Sequence, residues 1–153
     1  MKIGFIGLGN MGLPMAENLK RSEHNIIGFD IKKGIKSIIE ISDNLEKVIN
    51  GNEVIFTMLP SGKEVKNVYN EIVTKCQRST IIVDCSTIDI MSTHSISDLA
   101  KKNSLLTLDA PVSGGVVGAL EGSLTFMVGG DKEAFDKIKP LFEIMGKKAI
   151  YCG

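Results

Sequence analysis

Short apolar runs alternate along this chain with stretches in which apolar side chains recur every third or fourth position. The runs read as buried strands: Lys2 to Ile6, Asn25 to Phe29, Glu53 to Leu59, Thr80 to Cys85, Leu105 to Leu108, Leu124 to Val128 and Ala149 to Tyr151. The periodic stretches read as amphipathic helices. One runs from Leu13 to Leu19, with Met11, Met15 and Leu19 on a single stripe. Others carry Leu45, Val48 and Ile49, then Val65, Val68, Tyr69 and Ile72, then about Met91 to Lys102, then Lys132 to Met145. Ser42-Asp43-Asn44 is an N-cap cluster and Gly51-Asn52 a stop. Pro60 closes a strand and Ser61 caps the helix after it, while Pro140 predicts an interruption or kink in the last helix. Ile38 to Ile41 fits either a brief strand or the end of a short helix. The segment from Asp109 to Ser123 reads as a glycine-rich loop.

Near-continuous Val/Ile/Leu strands alternating with helices predict an α/β fold: a doubly wound, mainly parallel sheet covered on both faces, in one domain spanning 1–153. No repeat, low-complexity tract or linker breaks the alternation.

The first strand runs into Gly7-Leu8-Gly9-Asn10-Met11-Gly12 and then a helix. Glycines at G-x-G-x-x-G spacing between strand and helix have separate duties in a Rossmann-type dinucleotide site. Gly7 permits the tight turn, Gly9 lets a pyrophosphate approach bare backbone, and Gly12 lets the helix pack close to the sheet. The helix N-terminus offers free N–H groups and a positive dipole end to phosphates. The second strand ends at Asp30, roughly 20 residues on, where this fold places a carboxylate on the adenosine ribose hydroxyls. The same spacing also fits a plain structural turn with a surface acid, but strand, turn, helix and acid coincide here.

Composition narrows the partners. Eighteen Lys and Arg balance eighteen Asp and Glu, so charge points to neither nucleic acid nor membrane. No apolar run reaches the length of a membrane span. The opening strand begins at residue 2, leaving no room for a leader in the sequence as it stands. Cys76, Cys85 and Cys152 are odd in number and widely spaced, which argues against a disulfide framework or a zinc site and for a reducing compartment: cytoplasm, or mitochondrial matrix after removal of a presequence.

Three further loops follow strand ends, the edge at which open α/β sheets bind ligands. They are Thr57 to Ser61, Cys85-Ser86-Thr87, and Asp109-Ala110-Pro111-Val112-Ser113-Gly114-Gly115. In the last, Ser113 brings a hydroxyl and Gly114-Gly115 two uncovered N–H groups, either a nest for a small carboxylate or a bare turn. His24 falls in a turn on the opposite edge and His94 in a polar helix start, so both read as surface residues. Asp84 and Asp109 read as braces of their loops. No group suited to moving a proton to or from an alcohol stands out, which predicts half of a site.

With these motifs the chain resembles the N-terminal domain of the β-hydroxyacid dehydrogenase family, most closely its branch acting on 3-hydroxyisobutyrate. Gly4 to Ala16 resembles the cofactor signature, Thr57-Met58-Leu59-Pro60 and Asp84 to Asp89 two further cofactor loops, and Asp109 to Gly115, with Gly118-Ala119 and Gly122 to Gly130, the substrate signature. The resemblance implies a nicotinamide cofactor lying across Gly7, Leu8, Gly9, Asn10, Met11 and Gly12; Lys32 and Lys33 leave NADP as the lesser alternative, while the charge of Asp30, which would repel a 2′-phosphate, favours NAD. Asp30 would hold the ribose, and Leu59, Pro60 and Thr87 would line the nicotinamide. Ser113, Gly114 and Gly115 would hold a small hydroxy acid or semialdehyde. The implied reaction is hydride transfer between a 3-hydroxy acid and NAD, in valine catabolism for the best-matched branch.

It also implies a general-base lysine beyond Gly153, in a C-terminal helical domain that makes a homodimer or higher oligomer. No residue here matches that lysine, so the 153 residues alone are expected to be inactive. The stretch from Asp30 to Ser42 is shorter than the family's usual segment, predicting a clipped or missing helix. Alternatives are a related semialdehyde or glyoxylate reductase, an imine reductase, or a non-catalytic dinucleotide-binding scaffold.

Overall fold

The computed structural model describes residues 1–153. Elements follow in the order β1 (Lys2–Ile6), α1 (Gly12–Arg21), β2 (Asn25–Phe29), β3 (Glu40–Ile41), α2 (Leu45–Ile49), β4 (Val54–Thr57), α3 (Gly62–Lys75), β5 (Ile81–Asp84), α4 (Ile90–Lys102), β6 (Leu106–Asp109), β7 (Val112–Ser113), α5 (Gly115–Glu121), β8 (Leu124–Gly130), α6 (Lys132–Met145) and β9 (Gly146–Tyr151). This is the Rossmann-type single domain the alternation predicts. The sheet order is β3-β2-β1-β4-β5-β6-β8-β7, with β9 beside β8. Strands β1 to β6 are parallel. From β1 the chain steps outward to β2 and β3, then returns to the other side of β1 at β4. The carboxyl ends of β1 and β4 are therefore the topological switch point, where such sheets bind ligands.

Period-two alternation divides the core. Ile3, Phe5, Val54, Phe56, Ile81 and Val83 face α1 and α6 in the larger apolar cluster. Ile6, Ile55 and Ile82 face α2, α3 and α4 in the smaller one. Phe142 of α6 sits at the centre of the first, with ring centroids 4.9 Å from Phe126, 6.1 Å from Phe135 and 6.3 Å from Phe56. Asn44, within the cap cluster read from the sequence, accepts a backbone N–H of the first turn of α2, and Asp89 and Asp131, which the sequence reading did not single out as caps, do the same for α4 and α6. Ser61 occupies the cap position of α3, but its hydroxyl donates to the Glu64 carboxylate instead of accepting from the backbone.

Four sequence expectations resolve differently or more finely. No helix joins β2 to β3; Ile39, buried, and Ile35 plug the space a crossover helix would cover, so the missing helix is confirmed. Glu40–Ile41 is strand, settling the ambiguous segment. The glycine-rich loop contains β7 and the helix α5, with Gly118 buried against Leu124. Helix α6 runs uninterrupted through Pro140, which lies on the exposed side, where water can satisfy the carbonyl left without its N–H partner. β8 runs antiparallel to β6 and β7, and β9 returns parallel to β8. No helix is long and apolar enough to cross a membrane.

Candidate dinucleotide site

The glycine turn is built from contacts that explain two of its glycines and leave the third unexplained from within. Gly7 has φ +96°, in the left-handed region, and a Cβ there would lie 2.2 Å from the Met58 carbonyl oxygen. A Cβ at Gly12 would lie 1.9 Å from the Gly7 oxygen, so only glycine lets α1 start this close to the turn. Around Gly9 a Cβ would meet nothing within 4 Å, and its φ is one any residue adopts. The protein interior gives no reason for a glycine at this position; an incoming group that needs bare backbone does. Met11, at the N-cap of α1, makes no side-chain cap bond, and no acid sits in the first turn. Leu13 and Met15 donate to the Gly9 and Met11 carbonyls and Pro14 has no N–H, so it is the N–H groups of Asn10, Met11 and Gly12, with the dipole behind them, that are left to an anion.

Asp30 fixes this turn to β2. Its Oδ2 accepts the Leu8 N–H at 2.7 Å and its Oδ1 the Lys32 N–H at 2.7 Å. Each carboxylate oxygen keeps a further lone pair for a second donor. The nearby lysine Lys33 is turned to Asp43, Nζ to Oδ1 2.8 Å.

A cleft of about 590 Å³ opens between the turn, the end of β2 and the loop after β4. Of the residues singled out from sequence, Gly7, Gly9, Asn10, Met11, Gly12, Asp30, Leu59 and Pro60 line it. Leu8 is buried beneath, contributing its N–H to Asp30. Thr87 is exposed after β5 and does not line the cleft, nor do Ser113, Gly114 and Gly115, which lie exposed on β7 and at the start of α5. The cleft also takes Ile31, Glu64, Asn67 and Val68, which no motif flagged. The last three follow from the position of Pro60, because α3 begins directly after it and turns its first two turns toward the cleft. A larger groove of about 820 Å³ lies between α4, β6 and β8, lined by polar groups including His94, Lys101, Asp109 and Asp131. It includes neither the glycine turn nor Asp30, so the smaller cleft is the one matched to a dinucleotide.

Beneath the cleft, Asp84 is almost fully buried at the end of β5. Its Oδ1 accepts the Thr57 hydroxyl at 2.8 Å, the Ser86 hydroxyl at 2.6 Å and the Ser86 N–H at 3.1 Å. Ser86 Oγ in turn accepts the Leu59 N–H at 2.9 Å. Burial pushes the Asp84 carboxyl above the usual carboxylate range, against the pull of these hydrogen bonds. Asp109, beside it on β6, is pushed up to about 6, mainly by burial and then by the charge of Asp84. The bracing role read from sequence fits Asp84 directly. His24 lines neither the cleft nor the larger groove: its Nδ1 lies 3.1 Å from the chain's own N-terminus, and burial and that charge lower its pKa.

Residues 2–153 match the family described as the NAD binding domain of 6-phosphogluconate dehydrogenase. Across 99% of the chain, a probable mitochondrial 3-hydroxyisobutyrate dehydrogenase of Dictyostelium discoideum is 42% identical, the match covering 50% of that protein. An NAD-dependent L-serine dehydrogenase of Pseudomonas aeruginosa is 38% identical, also over 99% of the chain and over 54% of its own length. Among solved structures, Mycobacterium tuberculosis 3-hydroxyisobutyrate dehydrogenase with L-serine superposes with a TM-score of 0.93 at 36% identity, covering 99% of this chain and 54% of that one. The chain spans about half the length of the relatives it matches.

Proposed function

We propose, on the premise that this chain belongs to the family of the NAD binding domain of 6-phosphogluconate dehydrogenase, that it is the cofactor-holding half of an NAD-dependent β-hydroxyacid dehydrogenase whose substrate is 3-hydroxyisobutyrate. The observation that carries this reading is Gly9, a glycine with empty space where its side chain would be, at the mouth of an uncapped helix and beside Asp30.

In this reading the diphosphate rests on the backbone at Gly9 and the N-terminus of α1. Asp30 accepts a ribose hydroxyl with the lone pairs its two backbone partners leave over. Its charge repels a 2′-phosphate, and Lys33 is engaged by Asp43, so NAD is preferred to NADP. Leu59, Pro60 and Thr87 flank the nicotinamide, which supplies the hydride acceptor when bound. Ser113, Gly114 and Gly115 hold the hydroxy acid. The side chains lining the cleft include no lysine or histidine; its acids are Asp30, given in this reading to the ribose, and Glu64, which accepts the Ser61 hydroxyl. The group that receives the alcohol proton is then the one the family resemblance implies, a lysine outside residues 1–153 in a helical domain that also makes the dimer. The near-equal identity to the L-serine dehydrogenase supports a second substrate of the same class, a 3-hydroxy acid bearing an amine.

Calorimetric titration of the chain with NADH and NADPH tests the cofactor reading, and NADH is expected to bind tighter. Oxidation of 3-hydroxyisobutyrate and of L-serine by residues 1–153, with and without the remaining length, tests the rest. Turnover by these residues alone would refute the external base, and absence of NADH binding would refute the site.

A further inference from the structure

The two loops assigned to the nicotinamide are tied together from below by one carboxylate. We infer that Asp84 is a positioning residue: acting through Ser86, it sets the Leu59–Pro60 loop against the glycine turn and thereby fixes the seat of the nicotinamide end of the dinucleotide. This rests on the reading in which Leu59, Pro60 and Thr87 face the nicotinamide.

Register brings the parts together. Thr57, Asp84 and Asp109 are the last residues of three neighbouring parallel strands and lie side by side. Three donors from both loops converge on a single oxygen of Asp84. An oxygen that already accepts the Ser86 N–H and the Thr57 hydroxyl carries no proton of its own to give. The Ser86 hydroxyl must therefore spend its one proton on Asp84, at 2.6 Å, and turn its lone pairs outward. The Leu59 N–H meets one of those lone pairs at 2.9 Å. Proton direction in the relay is thus set from the buried end. An alcohol or water in place of the carboxylate would allow Ser86 to point either way.

The output end of the relay touches the cofactor corner. The Leu59 side chain and the Met58 carbonyl press against Gly7 so closely that a Cβ there would stand 3.0 Å from Leu59 Cδ2. A shift of the Leu59 loop must therefore be felt at the glycine turn or open a gap beside it. The adenosine end, held by Asp30, has no contact with the relay.

That asymmetry gives the test. Titration calorimetry on the chain compares NADH with ADP-ribose, which keeps the adenosine and diphosphate and lacks the nicotinamide. Ser86→Ala removes the link and leaves the Leu59 N–H without its partner. NADH binding is expected to weaken about tenfold, the scale of one lost hydrogen bond in a buried setting, while ADP-ribose binding stays within about twofold. Asp84→Asn can keep its amide oxygen toward the three donors and is expected to hold the unaltered NADH-to-ADP-ribose ratio. Thermal melts accompany each variant; Asp84→Ala, which strands all three donors, is expected to fold poorly and is not relied on. Equal losses for the two ligands in Ser86→Ala, or no loss of NADH binding, would overturn the inference. If the unaltered chain bound neither ligand, the dinucleotide reading itself would fall, a different outcome from either.

Discussion

Replacing Gly9 by alanine separates folding from binding within a single motif. The added methyl meets no atom within 4 Å and demands no left-handed φ. A glycine-to-alanine change at such a position stabilises by about 0.4–1 kcal/mol, because the unfolded chain loses freedom. For a domain of this size that raises the melting temperature by roughly 1–4 °C. The same methyl would occupy the approach of a diphosphate to the backbone. Losing one or two charge-assisted hydrogen bonds there, each about 1.5–3 kcal/mol, weakens NADH binding by roughly ten- to a hundredfold or more. Gly12→Ala is the counterpart. Its Cβ would stand 1.9 Å from the Gly7 oxygen, so the turn must move, and overpacking of this kind costs about 1–3 kcal/mol or more. Melting curves and calorimetry on both variants give the answer. Unaltered NADH affinity in Gly9→Ala, or a melting temperature lowered as far as in Gly12→Ala, would refute the division of labour.

Phe142→Ala removes the ring at the centre of the larger core, and a loss of about 3–5 kcal/mol is expected in urea unfolding; a loss below about 1 kcal/mol would mean the aromatic cluster is not tightly packed. Asp109 has a folded-state pKa of about 6 against an ordinary 3.8, so the folded chain prefers the protonated acid. The stability this contributes is full below about pH 4 and is lost as pH rises through 6. Asp109→Asn should therefore melt above the unaltered chain at pH 7.5, by about 1 kcal/mol after discounting for the group's partial exposure, and level with it near pH 4. An advantage independent of pH would place the effect elsewhere.

The parallel half of the fold was legible because buried strands announce themselves as apolar runs and their helices as stripes. The glycine turn and Asp30 were legible because three local demands coincide there. Helix α5 was hidden: Gly118 reads as a breaker, yet it is buried because Leu124 packs 3.1 Å from where its Cβ would be. The direction of β8 was hidden as well, since an apolar run carries no sign of which way it is paired. The Asp84 relay could not be seen because it joins residues 27 apart in sequence, brought together only by the register of β4 and β5. Thr87, Ser113, Gly114 and Gly115 were singled out by motif, and the structure leaves them outside the cleft that gathers the others.

In the proposed reading Asp30 serves two masters. Even with no nucleotide present it clamps Leu8, and so tethers the first crossover to the second strand. An engineer who swaps it for a small neutral side chain to welcome a phosphorylated ribose would loosen that tether in the same stroke. On that reading cofactor preference and scaffold integrity are inherited as one trait, and altering the first demands that a new acceptor for the Leu8 amide be supplied along with it.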